Sequence, residues 1–365
     1  MTSDSPLEIL TSACPLDCPD SCSLDVTIRD GRVEAVDGNH LNPITAGFIC
    51  GKVRHFPELM YGPDRVLYPA VRSGPKGSGE FRRVGWDEAI DRVAARLAAV
   101  REESGGEAIL PYCYGGSNGW LTQNGLDARF FYRLGASRLA RTLCAMPAAT
   151  ASTGLYGKMP GVAFEDYPAA RLIVLWGVNP AVTGIHLAPF IAQARSNGAK
   201  LAVIDPRRTP FARQADLHLP LRPGTDLPLA LAIIRWFFES GRADLDFLST
   251  HARNWERLRE RSREWTFERA AEVAGVRPDE IAALAEVYAE SRPAVVRCGW
   301  GPERNQNGGS AIAAILALPA VAGKFGVSGG GFTMSQSFAW DVDPMAGVGA
   351  SAPPTREINM NRLGE

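Results

Sequence analysis

The chain has almost no net charge, no long apolar run and no leader-like start, and each shortage removes a class of protein. A formal charge of −1 over 365 residues leaves neither a basic surface for nucleic acid nor the acidic excess of a disordered tail. The longest apolar stretch near the end, Ala311 to Ala322, is about a dozen residues and too short to span a bilayer. Met1-Thr2-Ser3-Asp4-Ser5-Pro6 offers no basic start, apolar core or twin arginine, so no secretory signal is expected. Repeats, low-complexity tracts and obvious linkers are also missing. The expectation is a soluble, cytoplasmic chain with no membrane segment and no nucleic-acid partner.

What is present is ordinary in bulk and unusual in detail. Apolar residues at 45% and charged residues at 22% suit a globular protein long enough for two or three domains. The 37 glycines and 26 prolines are raised together, which suits an enzyme whose loops hold cofactors better than a helical bundle. Seven cysteines in a cytoplasmic chain point to metal or redox chemistry before disulfides. Four of them fall within the first fifty residues, so their distribution is not random.

Periodicity orders the rest. Leu24 to Ile28 alternates by two, Asp30-Gly31 signals a hairpin turn, and Val33 to Val36 returns, giving a small β-rich module. From Trp86 the period becomes helical, with Ala89, Ile90, Val93, Ala94, Leu97 and Val100 on one face. Arg171 to Trp176 and Lys200 to Asp205 read as buried strands flanking a helix from Leu187 to Ser196 that Asn197-Gly198 ends. This is a βαβ unit and implies a parallel sheet with right-handed crossovers. A helix from Pro278 to Ser291 leads into a third strand, Ala294 to Cys298, and a helix from Ser310 to Gly323 follows. The fold expected is α/β: a small β-rich N-terminal domain, then doubly wound, Rossmann-like parallel-sheet domains.

The strongest local signal is Cys14-x3-Cys18-x3-Cys22-x27-Cys50. Three close thiolates and a distant fourth can surround a [4Fe–4S] cubane whose irons each need one sulfur. Pro15 and Pro19 keep the loop out of helix, and Gly47 and Gly51 flank the last ligand. Structural zinc is the alternative, although zinc sites more often use paired knuckles or include histidine.

Cys14 to Lys52, with Gly47-Phe48-Ile49-Cys50-Gly51-Lys52, resembles the N-terminal cluster domain of the dimethyl sulfoxide reductase family of molybdenum and tungsten enzymes. The likeness continues through Gly62-Pro63-Asp64-Arg65-Val66, Gly85-Trp86-Asp87-Glu88-Ala89 and Arg133-Leu134-Gly135-Ala136-Ser137. It implies that Lys52 relays electrons between the cluster and a pterin. After Arg141-Thr142-Leu143 the family carries the protein ligand of the metal, which makes Cys144 that ligand here, and a soft thiolate suits a metal already held by dithiolene sulfurs. Cys113 is the rival ligand, at the end of an expected short strand before a glycine turn, and Cys298 is read as core. The implied cofactors are a [4Fe–4S] cluster and bis-molybdopterin guanine dinucleotide with Mo or W.

Three loops are candidates for the dinucleotide arms. Asn179 follows the first βαβ strand and Asp205 ends the next, with Arg207 or Arg208 beside it to pair with pyrophosphate. The resemblance adds Arg222-Pro223-Gly224-Thr225-Asp226, hence Gly224 and Asp226. Gly299-Trp300-Gly301-Pro302-Glu303-Arg304 is a further candidate phosphate cradle, through Gly301 and Arg304. His186 is read as structural.

The implied division is 1–61 for the cluster domain, 62–137 with 330–365 for a first, discontinuous α/β domain, and 138–329 for a second. Family catalytic subunits continue into a C-terminal domain that closes over the cofactor, so the chain is expected to be a truncated subunit without it. The implied function is a redox enzyme acting on a small substrate, with an electron-transfer subunit or carrier as partner. A non-redox hydratase on the same cofactors and a molybdenum-free electron-transfer subunit similar to the complex I large subunit are the alternatives. Formate chemistry is disfavoured because Ala145, not histidine, follows Cys144.

Overall fold

The computed structural model describes residues 6–115, 125–335 and 353–364. These fall into two compact units. One holds the N-terminal residues through Asp17, Ser21 to Thr142 and 353–364; the other holds Cys18–Asp20 and the residues from Leu143 to 335.

The first unit opens on an antiparallel three-stranded sheet of β1 (Glu8–Ala13), β2 (Ser23–Arg29) and β3 (Arg32–Gly38). The β2–β3 turn is Asp30-Gly31, both at positive φ, as the hairpin signal required. A small core of Cys22, Leu24, Val36, Ile49 and Val53 lies under this sheet, with Cys14 and Cys50 packed against it. Two short helices follow, α1 (Gly51–Arg54) and α2 (Phe56–Tyr61), then the ribbon of β4 (Ala70–Arg72) and β5 (Phe81–Arg83).

Helix α3 (Trp86–Ser104) forms where the periodicity placed it, with Asp87 and Glu88 in its first turn complementing the dipole. Its apolar stripe is not covered by the described residues: Ile90 is 58% and Val93 60% exposed. After α4 (Asp127–Leu134), β6 (Arg138–Ala140) pairs in parallel with Glu357–Asn359. That pairing keeps residues through Thr142 in the first unit, beyond the boundary expected at 137.

The second unit begins with α5 (Met146–Tyr156) and is built on one sheet. Its strands are β7 (Leu172–Trp176), β8 (Lys200–Ile204), β9 (Leu217–Leu219), β10 (Ala294–Cys298) and β11 (Gly331–Thr333), in spatial order β11-β10-β7-β8-β9 and all parallel. Helix α6 (Leu187–Ser196) joins β7 to β8. The excursion from β9 to β10 runs through α7 (Asp226–Glu239), α8 (Leu245–His251), α9 (Trp255–Ser262), α10 (Phe267–Ala274) and α11 (Pro278–Glu290). Helix α12 (Gly308–Val321) then leads to β11. The sequence groups residues from 330 onward with the first α/β domain, but Gly331–Thr333 pairs with β10, because its apolar Phe332 is buried in this sheet's core.

Near-continuous apolar strands are expected when both faces are covered, and they are. Leu172, Val174, Trp176, Val296 and Cys298 face a core shared with α7, α11 and α12. Ile173, Leu175, Val203 and Val295 face a second one with Leu187, Ile191 and Ala194 of α6. The chain winds one way from β7 to β9 and the other way from β10 to β11. The order therefore reverses between β7 and β10, which is where doubly wound sheets open a crevice at their carboxyl ends.

Candidate functional site: a crevice at the β7–β10 switch and a cysteine-lined module

The loops leaving β7 and β10 are packed backbone to backbone. Gly299 N–H donates to Trp176 O at 2.8 Å and Gly301 N–H to Gly177 O at 3.3 Å. Gly177 has φ of 59°, and a Cβ there would lie 2.5 Å from Pro302 Cδ, so only glycine lets the loops close up. Gly301 then opens a short 3-10 turn, Pro302–Arg304.

Arg304 reaches Cys144 from this turn: its Nη2 donates to Sγ at 3.2 Å. Cys144 is half-buried in the turn before α5. The structure thus brings together two residues 160 positions apart, one expected as metal ligand and one as phosphate contact. Cys113 lies elsewhere. Residues 109–115 have no regular structure, so the strand expected to end at Cys113 is absent there. Hydrogen bonds along 109–115 run instead to other segments: Arg141 donates to Cys113 O at 2.9 Å and to its Sγ at 3.1 Å. Gly116 and Ser117, the rest of that glycine turn, lie outside the described residues. Cys298 is fully buried and burial pushes its thiol well up from the ordinary range, as fits a core cysteine.

The other loop residues gather at the same carboxyl edge. Asn179 Oδ1 accepts from Ala181 N–H at 3.3 Å. Asp205 Oδ1 accepts from Arg207 N–H at 2.8 Å and leaves the Arg207 side chain exposed. Gly224 has φ of 85°, and its carbonyl accepts from Asn307 Nδ2 at 3.1 Å, tying the loop before α7 to the one before α12. Asp226 is buried, and its Oδ1 accepts from the Trp176 indole N–H at 2.8 Å. Burial raises the Asp226 carboxyl above the ordinary aspartate value; the indole bond works against that rise, and the Asp205 charge adds to it.

In the N-terminal module Cys14 N–H donates to Cys22 O at 2.8 Å, closing the ligand loop into a turn. Cys50 precedes α1, its carbonyl accepting from Val53 and Arg54 N–H. Lys52 lies exposed on α1. Cys18 belongs to the Cys18–Asp20 piece grouped with the second unit. None of the seven cysteines is in a disulfide, so the thiol donor set suits a cluster. Gly47 has φ of 79°, and a Cβ there would meet the His40 ring at 2.2 Å.

Sequence reasoning missed two residues. Asp20, between Cys18 and Cys22, accepts at Oδ2 from His186 N–H at 3.2 Å, and His186 Nδ1 is 2.7 Å from the same oxygen. Glu303 holds the backbone after Cys144. Neither contact has a local pattern that could reveal it.

Residues 65–360 match the Molybdopterin oxidoreductase family, and residues 8–62 match the Molybdopterin oxidoreductase Fe4S4 domain. The chain belongs to the molybdopterin oxidoreductase family. Its two matched domains are those of a [4Fe–4S] cluster and of a molybdopterin carrying Mo or W. It is 37% identical to the probable oxidoreductase YoaE of Bacillus subtilis over 98% of this chain and 53% of that protein. It is 29% identical to the dimethyl sulfoxide reductase DmsA of Escherichia coli over 88% of this chain and 44% of the other. Among solved structures, acetylene hydratase from Pelobacter acetylenicus matches with a TM-score of 0.72 at 27% identity, over 87% of this chain and 44% of that one. The chain spans about half the length of the curated relatives it matches. No helix among the described residues is long and apolar enough to cross a membrane.

Proposed function

We propose that this chain is the cofactor-binding part of a molybdenum or tungsten oxidoreductase that passes electrons between a small substrate and its [4Fe–4S] cluster. The observation that supports this best is the Arg304–Cys144 contact at 3.2 Å beside the switch-point loops. A thiol and a cation there meet the one crevice where a doubly wound sheet takes a dinucleotide.

In this reading Cys144 is the metal's protein ligand, and Cys14, Cys18, Cys22 and Cys50 hold the cluster. Lys52, two residues after Cys50, relays electrons. Asn179, Asp205, Arg207, Gly224, Asp226, Gly301 and Arg304 seat the guanine dinucleotide arms. Backbone N–H groups and exposed guanidinium of Arg207 suit pyrophosphate, and the Asp205 carboxylate suits a ribose or purine donor. When bound, the metal supplies two-electron chemistry; the chain supplies the thiol, the charges and the shape around it. An electron-transfer subunit or carrier completes the path.

The likeness to acetylene hydratase favours a second reading, in which the same cofactors serve a hydration that moves no net electrons. One preparation separates the two. Anaerobic holoprotein should contain about four irons per chain, and turnover should require an artificial electron partner. Cys144→Ala should keep the iron, remove one sulfur from the Mo or W edge spectrum and abolish turnover. Turnover without any electron partner supports the hydratase, and recovery of zinc instead of iron overturns the cluster.

A further inference from the structure

We propose that Glu303 is the positioning residue of the Cys144 thiol; this rests on reading Cys144 as the metal ligand. Helix α5 starts with a deficit. Its N-cap is Ala145, in the left-handed region at φ of 63°, and alanine has no side-chain acceptor. Met146 N–H is satisfied by Leu143 O at 3.1 Å, and Pro147 has no N–H. Two donors remain, the amides of Ala145 and Ala148.

Glu303 takes both. Its Oε1 accepts from Ala145 N–H at 2.8 Å and its Oε2 from Ala148 N–H at 3.2 Å. These are the N-cap and N3 amides, the pair that a capping box satisfies with two local side chains. Here a single carboxylate from the loop after β10 serves both, and that side chain is only 1% exposed. A buried carboxylate is costly without strong donors, so its place is fixed by the amides as firmly as theirs is by it.

The consequence falls on Cys144. The residue after it is held at the backbone by Glu303, and its sulfur receives Arg304, the next residue in sequence. Adjacent side chains of one short turn therefore set both the backbone and the thiol of the proposed ligand. Ala145 in a left-handed conformation is strained, and the Glu303 bonds oppose its relaxation.

The test uses Glu303→Gln and Glu303→Ala in the cofactor-loaded chain. Glutamine keeps the shape and one good acceptor oxygen, so it should fold and lose only part of the restraint. Amide exchange at Ala145 and Ala148 should accelerate by about tenfold in the glutamine variant and more in alanine. The Mo or W edge spectrum should lose or lengthen its Cys144 sulfur in the same order, with iron content unchanged. Wild-type exchange at both amides overturns the proposal. Faster exchange with an unchanged metal–sulfur bond overturns it too, leaving Glu303 as a helix cap alone. Failure of the underlying reading looks different: Cys144→Ala would then leave the edge spectrum of otherwise wild-type protein unaltered.

Discussion

His186 Nδ1 lies 2.7 Å from Asp20 Oδ2, with the two side chains 0% and 1% exposed. The same oxygen accepts the His186 backbone N–H, so this one carboxyl anchors the Cys18–Asp20 piece to the start of α6. His186→Ala would leave the carboxyl sealed from water without its ring partner. The expected loss is about 3 kcal/mol in denaturant unfolding. Iron retention should fall with it, since the Cys18 segment loses its anchor. Full retention of both stability and iron would make the pair incidental.

With Lys52 in its proposed place beside the cluster, Lys52→Met should make the cluster harder to reduce, because a cation near an anionic group is removed while the stem volume is kept. A shift of tens of millivolts is expected, about 59 mV being a tenfold change for one electron. Redox titration followed by paramagnetic resonance reads it directly. Dye-coupled turnover should fall as well; a lower potential with unchanged turnover on the natural substrate would remove the redox assignment.

Asp226 gives a pH-dependent stability of predictable sign. Burial raises its carboxyl in the folded chain, so folding favours the protonated form. Wild-type stability should therefore fall as pH rises from the ordinary value of 3.8 through the raised one. Asp226→Asn keeps an acceptor for the Trp176 indole and should lack this fall. Urea midpoints at about pH 4 and pH 7 would show the asparagine variant gaining on wild type. Asp226→Leu strands the indole N–H and should be about 2 kcal/mol less stable than Asp226→Asn at either pH.

Lys324 carries the opposite kind of signature. Its Nζ donates to Ala289 O at 3.1 Å and Ser291 O at 2.8 Å at the end of α11. Burial, with Arg292 nearby, lowers it from 10.5 to about 8. Between those values the unfolded chain binds the proton and the folded chain does not, so stability should rise with pH from about 8 to 10.5. Lys324→Met should abolish that rise when the two proteins are compared over the same range.

Much of the second unit was legible because its strands obey a purely local rule. Ala294 to Cys298 and Leu187 to Ser196 fall where the apolar run and the helical period put them. Short edge strands were not legible: β9 and β11 have three residues each, too few to show any period. Strand β1 is exposed throughout and so lacks alternation of burial to read. The α3 stripe was read as one helical face, and its exposure among the described residues was not legible, since periodicity reports amphipathicity and not what lies against it. In the site, cysteine spacing is local and visible. Glu303 and Asp20 act on backbone and ring partners 155 to 166 positions away, which no spacing encodes.

The reversal of strand order between β7 and β10 also dictates a sequence of events during synthesis. A ribosome that has released Cys50 has released every cysteine proposed for the cluster. The crevice has neither lip at that stage of growth and only one for long after it, for β7 ends at Trp176 and its neighbour β10 begins at Ala294. The helices α7 to α11 must be made between them. The proposed cluster ligands thus exist on a chain whose proposed dinucleotide seat does not, and that seat is assembled only by a strand that returns from far along the sequence.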